Sequence, residues 1–240
     1  MPMIELSRRL QAVADLVTPG SRLADVGCDH GYLSIYLVQS KKVPHSIAMD
    51  VNRGPLLRAQ EHICQYGLEE YIETRLSDGL TCLSAGEADA LVLAGMGGPL
   101  MEKIMEEGRE VLAGMREMIL QPQSEIPAFR RYLQKQGYCI VQEDMVREEG
   151  KYYPIMRAVP GKMCWERSVE FRYGKYLLDA RHPVLQQYLQ EEEQSLRDLE
   201  QHLQKAAGNG EKSFRAQERL TQIRGELAEL EEAKAYERGR

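Results

Sequence analysis

The chain has 240 residues, of which 43% are hydrophobic and 28% charged, proportions of a soluble globular protein long enough to bury a core without staples. Its net charge of −6, from 31 Lys+Arg against 37 Asp+Glu, gives no general attraction for nucleic acid or an anionic membrane. No apolar run approaches the roughly 18 residues of a membrane span. Met1 to Leu10 lacks the apolar stretch of a signal peptide, and the five cysteines form no CxxC pair. Neither a disulfide framework nor a metal site is indicated, and a reducing cytoplasm is the expected compartment.

Leu10, Val13, Ala14 and Val17 recur at helical spacing, so the chain opens with an amphipathic helix that Thr18-Pro19-Gly20 ends. Arg22 to Val26, Ser46 to Asp50, Ile72 to Leu76, Ala90 to Ala94 and Met118 to Gln121 read as five buried strands, with helices between them. Pro55 and Gly67 bracket one helix; Ser124 as N-cap and Gly137 bracket another. Tyr138 to Val146 and Tyr152 to Val159 read as an antiparallel pair. This alternation predicts an α/β fold with a doubly wound, Rossmann-like sheet over residues 1–160.

The pattern changes after Pro160-Gly161. Leu185, Leu189, Leu196, Leu199 and Leu203 form a heptad seam interrupted by Glu192. After a polar turn at Ala206 to Ser213, Ala216, Leu220, Ile223, Leu227 and Leu230 form a second seam. Residues 161–240 therefore read as a helical, coiled-coil hairpin domain, packed partly on residues 165–183.

The chemistry concentrates at strand ends. Asp25-Val26-Gly27-Cys28-Asp29-His30-Gly31 joins the first strand to a helical run from Tyr32, where glycines allow a sharp turn and close ligand approach. Asp50 ends the next strand, placed to accept ribose hydroxyls, with Val51 behind it. A dinucleotide site wants G-x-G-x-x-G around a pyrophosphate, whereas here Asp29 and His30 lie inside the loop. A carboxylate there repels pyrophosphate and suits the sulfonium and ammonium groups of S-adenosyl-L-methionine (AdoMet). Asp29 can instead cap the following helix, and Asp25 can hold loop N–H groups. Ser77-Asp78-Gly79 follows the third strand and Gly95-Met96-Gly97-Gly98-Pro99 the fourth. Alone, these are an ordinary turn and an ordinary helix start; in series at successive strand ends they outline a cofactor site.

The sequence resembles the bacterial tRNA (adenine-22 N1)-methyltransferase family, TrmK. The resemblance is carried by Leu6-Ser7-Arg8-Arg9-Leu10, Asp25 to Gly31, Asp50-Val51 with Gly54-Pro55-Leu56, Asp78-Gly79-Leu80, Ala94 to Gly98 and Ile119 to Pro122. It departs at Gln123, where the family has Asn. The resemblance implies methylation of N1 of one tRNA adenine, with AdoMet held by Asp25, Gly27, Cys28, Asp29, His30, Gly31, Asp50, Val51, Ser77, Asp78, Gly79, Gly95 and Met96. Asp29 is the candidate catalytic residue, with a purely cofactor-binding role as its alternative; His30 is assigned to loop support.

An acidic protein binds tRNA through local basic clusters. Arg8, Arg9, Arg130 and Arg131 are candidates in the core, and Arg167, Arg172, Lys175, Arg181, Arg215, Arg219 and Arg224 in the nearly charge-balanced tail. Two other functions compete: a non-catalytic RNA- or protein-binding adaptor on a methyltransferase fold, and a nicotinamide-dependent oxidoreductase.

Overall fold

The computed structural model describes residues 3–206 and 211–236. The chain divides into two compact units, Met1–Cys164 and Trp165–Arg240.

The first unit is built on strands β1 (Leu23–Val26), β2 (Ser46–Asp50), β3 (Ile72–Leu76), β4 (Ala90–Met96), β5 (Glu117–Pro122), β6 (Tyr138–Glu148) and β7 (Lys151–Pro160). They form one sheet in the order β3-β2-β1-β4-β5-β7-β6. β1 to β5 are parallel, and β7 pairs antiparallel with both β5 and β6. Every residue of β1 and β5 is buried, as sheets covered by helices require. The helices are α1 (Arg8–Leu16), α2 (Tyr32–Gln39), α3 (Arg53–Gln65), α4 (Gly98–Glu107), α5 (Arg109–Leu112) and α6 (Ile126–Lys135).

The chain moves outward from β1 through β2 to β3, then crosses back to lay β4 on the other flank of β1. That reversal opens a crevice beyond the carboxyl ends of β1 and β4, where open α/β sheets bind ligands. Val26 pairs with Met49 on one side and Leu93 on the other, so β1 and β2 end nearly level while β4 continues to Met96 along one wall of the crevice.

Local chemistry sets several boundaries. Ser7 caps α1, its Oγ accepting from the Leu10 N–H, and Ala12, Val13, Ala14 and Leu16 turn inward. The N-cap of α6 is Glu125, in a left-handed conformation, rather than Ser124 as predicted. Ser124 instead packs under the start of α4: its carbonyl accepts from the Gly98 N–H. Within α6, Arg130 is buried and donates from Nε and Nη2 to Glu143 Oε1 on β6, at 3.0 and 2.8 Å. Its assignment to tRNA is therefore corrected: this charge locks a helix to the sheet.

The second unit contains a π-helical turn (Glu170–Gly174) and helices α7 (Lys175–Asp179), α8 (Pro183–Ala206) and α9 (Glu211–Lys234). The connection at 207–210 and the Arg215 side chain lie outside the described residues. Leu185, Leu189, Leu196, Leu220, Ile223, Leu227 and Leu230 are buried, but Leu199 is 37% exposed, so the first seam opens before its predicted end. Glu192, the polar break in that seam, accepts from Arg172, Tyr173 and Tyr188. The break thus anchors the hairpin to the preceding segment. The tail candidates are largely paired: Arg167 with Glu232, Arg172 with Glu192 and Glu229, Lys175 with Glu170, Arg219 with Glu226 and Arg224 with Glu200.

Candidate active site

The loop after β1 is pinned from below. The N–H groups of Gly27 and Cys28 both donate to the Met49 carbonyl, at 2.8 and 3.0 Å. Gly27 has φ +74°, and a Cβ there would stand 2.3 Å from the Met96 methyl, so glycine satisfies both the turn and the approach of the end of β4. Gly31 is the left-handed N-cap of α2 and no side chain caps that helix, so Asp29 does not serve as the cap. Asp29 is itself left-handed, φ +50°, a conformation Asp tolerates better than most residues, and its side chain is 71% exposed. Its Oδ1 lies 3.5 Å from Nε2 of His30.

Asp50 ties the successive loops together. Its Oδ2 accepts from the Asp29 N–H at 3.3 Å, its Oδ1 from the Asn52 N–H at 2.8 Å, and its carbonyl from the Ser77 N–H at 2.9 Å. Ser77 in turn donates to the Gly79 carbonyl and accepts from the Cys82 N–H, closing its own turn.

A cavity of about 300 Å³ lies between the loop after β1 and the carboxyl end of β4, at the small end of the range for ligand sites. Asp25, Gly27, Cys28, Asp29, His30, Gly95 and Met96 line it. Of the other predicted residues, Gly31 bounds α2, Asp50 ends β2, Ser77, Asp78 and Gly79 form the loop after β3, and Val51 is exposed; none of these six lines this cavity.

Asp25 is buried and accepts from Ser34 Oγ at 2.8 Å; Ser34 also touches Ser46. It thus braces the first turns of α2, not the loop's N–H groups. Burial pushes its carboxyl up to about 6, against the pull of the Ser34 bonds, with nearby Asp50 adding to the rise. Burial, with Asp25, Asp50 and Asp29 close by, holds the Cys28 thiol far above its ordinary range, which keeps it in the protonated form.

Sequence reasoning left out Tyr32, Gln121 and the cavity role of Arg9. The buried Gln121 Oε1 accepts from both Arg9 Nη1 and the Gly95 N–H, each at 3.1 Å. Arg9 also lies over the Tyr153 ring, 5.7 Å from its centroid. It has no carboxylate partner among the described residues, so a cation is held at the cavity by a neutral amide. Gln123, at the departure from the family pattern, also lines the cavity, its N–H donating to the Met96 carbonyl at 2.8 Å. The signal for Arg9 was its place in the Ser7-Arg8-Arg9-Leu10 run; nothing in one sequence set Gln121 apart from a core polar residue.

A methyltransferase domain family matches residues 6–156. The tRNA (adenine(22)-N(1))-methyltransferase of Bacillus subtilis is 39% identical over 161 residues, covering 67% of this chain and 68% of the relative. This chain belongs to the tRNA (adenine(22)-N(1))-methyltransferase family. The crystal structure of B. subtilis TrmK, an m1A22 tRNA methyltransferase, has a TM-score of 0.82 at 31% identity, covering 95% of this chain and 98% of that one. A Streptococcus pneumoniae protein put forward as a tRNA (m1A22) methyltransferase, solved with S-adenosyl-L-methionine, has a TM-score of 0.84 at 32% identity, covering 95% and 99%. The TrmK-family likeness therefore extends beyond the methyltransferase sheet into the helical tail.

Proposed function

We infer that this chain transfers the methyl group of AdoMet to ring nitrogen N1 of adenine 22 in tRNA. The observation that carries this reading is the cavity at the strand-order reversal, bounded by the Asp25-to-Gly31 segment and the Gly95–Met96 end of β4, in a chain of the TrmK family.

The residues present fit AdoMet. The cavity combines a glycine turn, where a Cβ would strike Met96, with the carboxylates of Asp25 and Asp29, the negative acceptor groups a cationic cofactor wants. Asp50 stands at the end of β2 for the ribose, and Ser77 to Gly79 at the end of β3 for the adenine amino group. The same set disfavours a nicotinamide dinucleotide, whose pyrophosphate would meet Asp29. When bound, AdoMet supplies an electrophilic methyl group on a sulfonium centre.

The remaining work belongs to the chain. It must align the N1 lone pair with that methyl carbon and exclude water. N1 lies on the pairing edge, so the adenine has to leave its stack before reaction. The methylated ring is cationic, and we assign Asp29, exposed at the cavity beside His30, to stabilise that charge or accept the amino proton. Arg9 supplies a donor for an RNA phosphate at the same cavity. The helical unit is the second tRNA contact. Its surface ion pairs are weak, about 0–1 kcal/mol each, and so exchange readily for phosphates. A cytoplasmic location completes the reading: the described cysteines are all free, and no helix among the described residues is long and apolar enough to cross a membrane.

Transfer of a labelled methyl group from AdoMet to tRNA tests the function. Incorporation that depends on Asp29 is expected. Cofactor binding without incorporation into any tRNA would favour the adaptor.

A further inference from the structure

Tyr32 begins α2 at the rim of the cavity and is 38% exposed. Its ring centroid lies 5.5 Å from that of His30, with the planes 13° apart, and 5.0 Å from that of His62, with the planes 20° apart. The two imidazoles are themselves only 5.9 Å apart. Imidazoles sandwiching the tyrosine at ordinary stacking distances would stand about 10 Å apart. The three rings are therefore tiled in a triangle, and Tyr32 keeps a face that the histidines do not sandwich. The tile is pinned: His62 Nδ1 lies 3.0 Å from the His30 carbonyl oxygen, and His30 sits inside the loop held by Asp50.

A flat ring braced by its neighbours, about a third open to solvent and bordering the reaction cavity, has the properties of a base-stacking platform. Every base has a π-face, and unstacked RNA bases are received on aromatic side chains. The tyrosine face also attracts positive charge, which the adenine ring acquires on N1 methylation. We propose that Tyr32, braced by His30 and His62, stacks against the adenine that has left the tRNA helix. This proposal rests on the tRNA-methylating reading above and assigns the residue that receives the base.

The test compares wild type, Tyr32→Phe and Tyr32→Leu at saturating AdoMet. Stacking is expected to make kcat/KM for tRNA fall about 5- to 100-fold in the leucine variant and stay near wild type in the phenylalanine variant. AdoMet affinity by calorimetry should be unchanged in both, which also reports that each variant is folded. Tyr32→Leu methylating tRNA like wild type would overturn the proposal, as would Phe and Leu being equally impaired or AdoMet affinity falling in step. A second measurement needs no turnover: with 2-aminopurine at the target position of tRNA, wild type should quench the unstacked base and Tyr32→Leu should leave it bright. Equal fluorescence in the two would also overturn the proposal. Absence of tRNA methylation by wild type would instead contradict the underlying reading.

Discussion

Two carboxylates close together in sequence meet opposite environments. Asp29 is exposed on a left-handed residue at the cavity, whereas Asp25 is buried against Ser34. Asp29→Asn is expected to cut methyl transfer at least 100-fold while AdoMet still binds; loss of binding, measured by calorimetry, would reduce Asp29 to a cofactor ligand. Asp25 makes a pH prediction. Its folded value near 6 lies above the ordinary 3.8, so the folded protein holds a proton there that the unfolded chain has released. Stability should fall as pH rises from about 4 to 6, by roughly 3 kcal/mol at 1.36 kcal/mol per unit, and then level off. A cationic ligand prefers the ionised carboxylate, so AdoMet affinity should weaken as pH drops below about 6. Asp25→Asn should flatten both profiles; an unchanged pH profile in that variant would show that another group titrates.

At the scale of elements, the sheet was legible because its strands are short apolar runs separated by Gly, Pro and cap residues. Ser46–Asp50 and Ile72–Leu76 stand where the sequence placed them, and the antiparallel β6–β7 pair is as expected. What sequence could not show was which charges had partners. Arg130 and Arg131 look alike in a helical pattern, yet Arg130 reaches Glu143 on a different element. Arg167 meets Glu232, 65 residues away, and no local pattern announces that pairing. In the candidate site, the loop residues were legible as glycines and carboxylates at strand ends. Tyr32 and Gln121 were not, because an aromatic or an amide in a buried pattern looks like core until its neighbours are known. The α6–β6 lock gives its own prediction. Arg130→Ala removes the buried guanidinium that donates twice to Glu143 and should cost about 3–5 kcal/mol, read as a lower denaturation midpoint. A change under 1 kcal/mol would show that Glu143 finds another partner or protonates cheaply.

For the whole molecule, the net charge of −6 limits where RNA can bind. Arg9 at the cavity and the exposed arginines Arg167 and Arg224 of the helical unit are the proposed phosphate contacts of this acidic chain. tRNA affinity should therefore fall steeply with salt, with a log–log slope of about −0.7 to −0.9 per phosphate contact. A protein ending at Cys164, which retains the sheet and its own core, should bind AdoMet as the full chain does and tRNA much more weakly. Equal tRNA affinity and salt slope in the shortened protein would remove the helical unit from the interface. The central claim is that this cavity directs AdoMet's methyl group to N1 of one tRNA adenine. Nucleoside mass spectrometry of tRNA incubated with the protein and AdoMet, followed by mapping of the modified position, tests it most directly. 1-Methyladenosine is expected at position 22, with at least 100-fold slower formation by Asp29→Asn. A different methylated nucleoside, or unmodified tRNA with the wild-type protein, would contradict it.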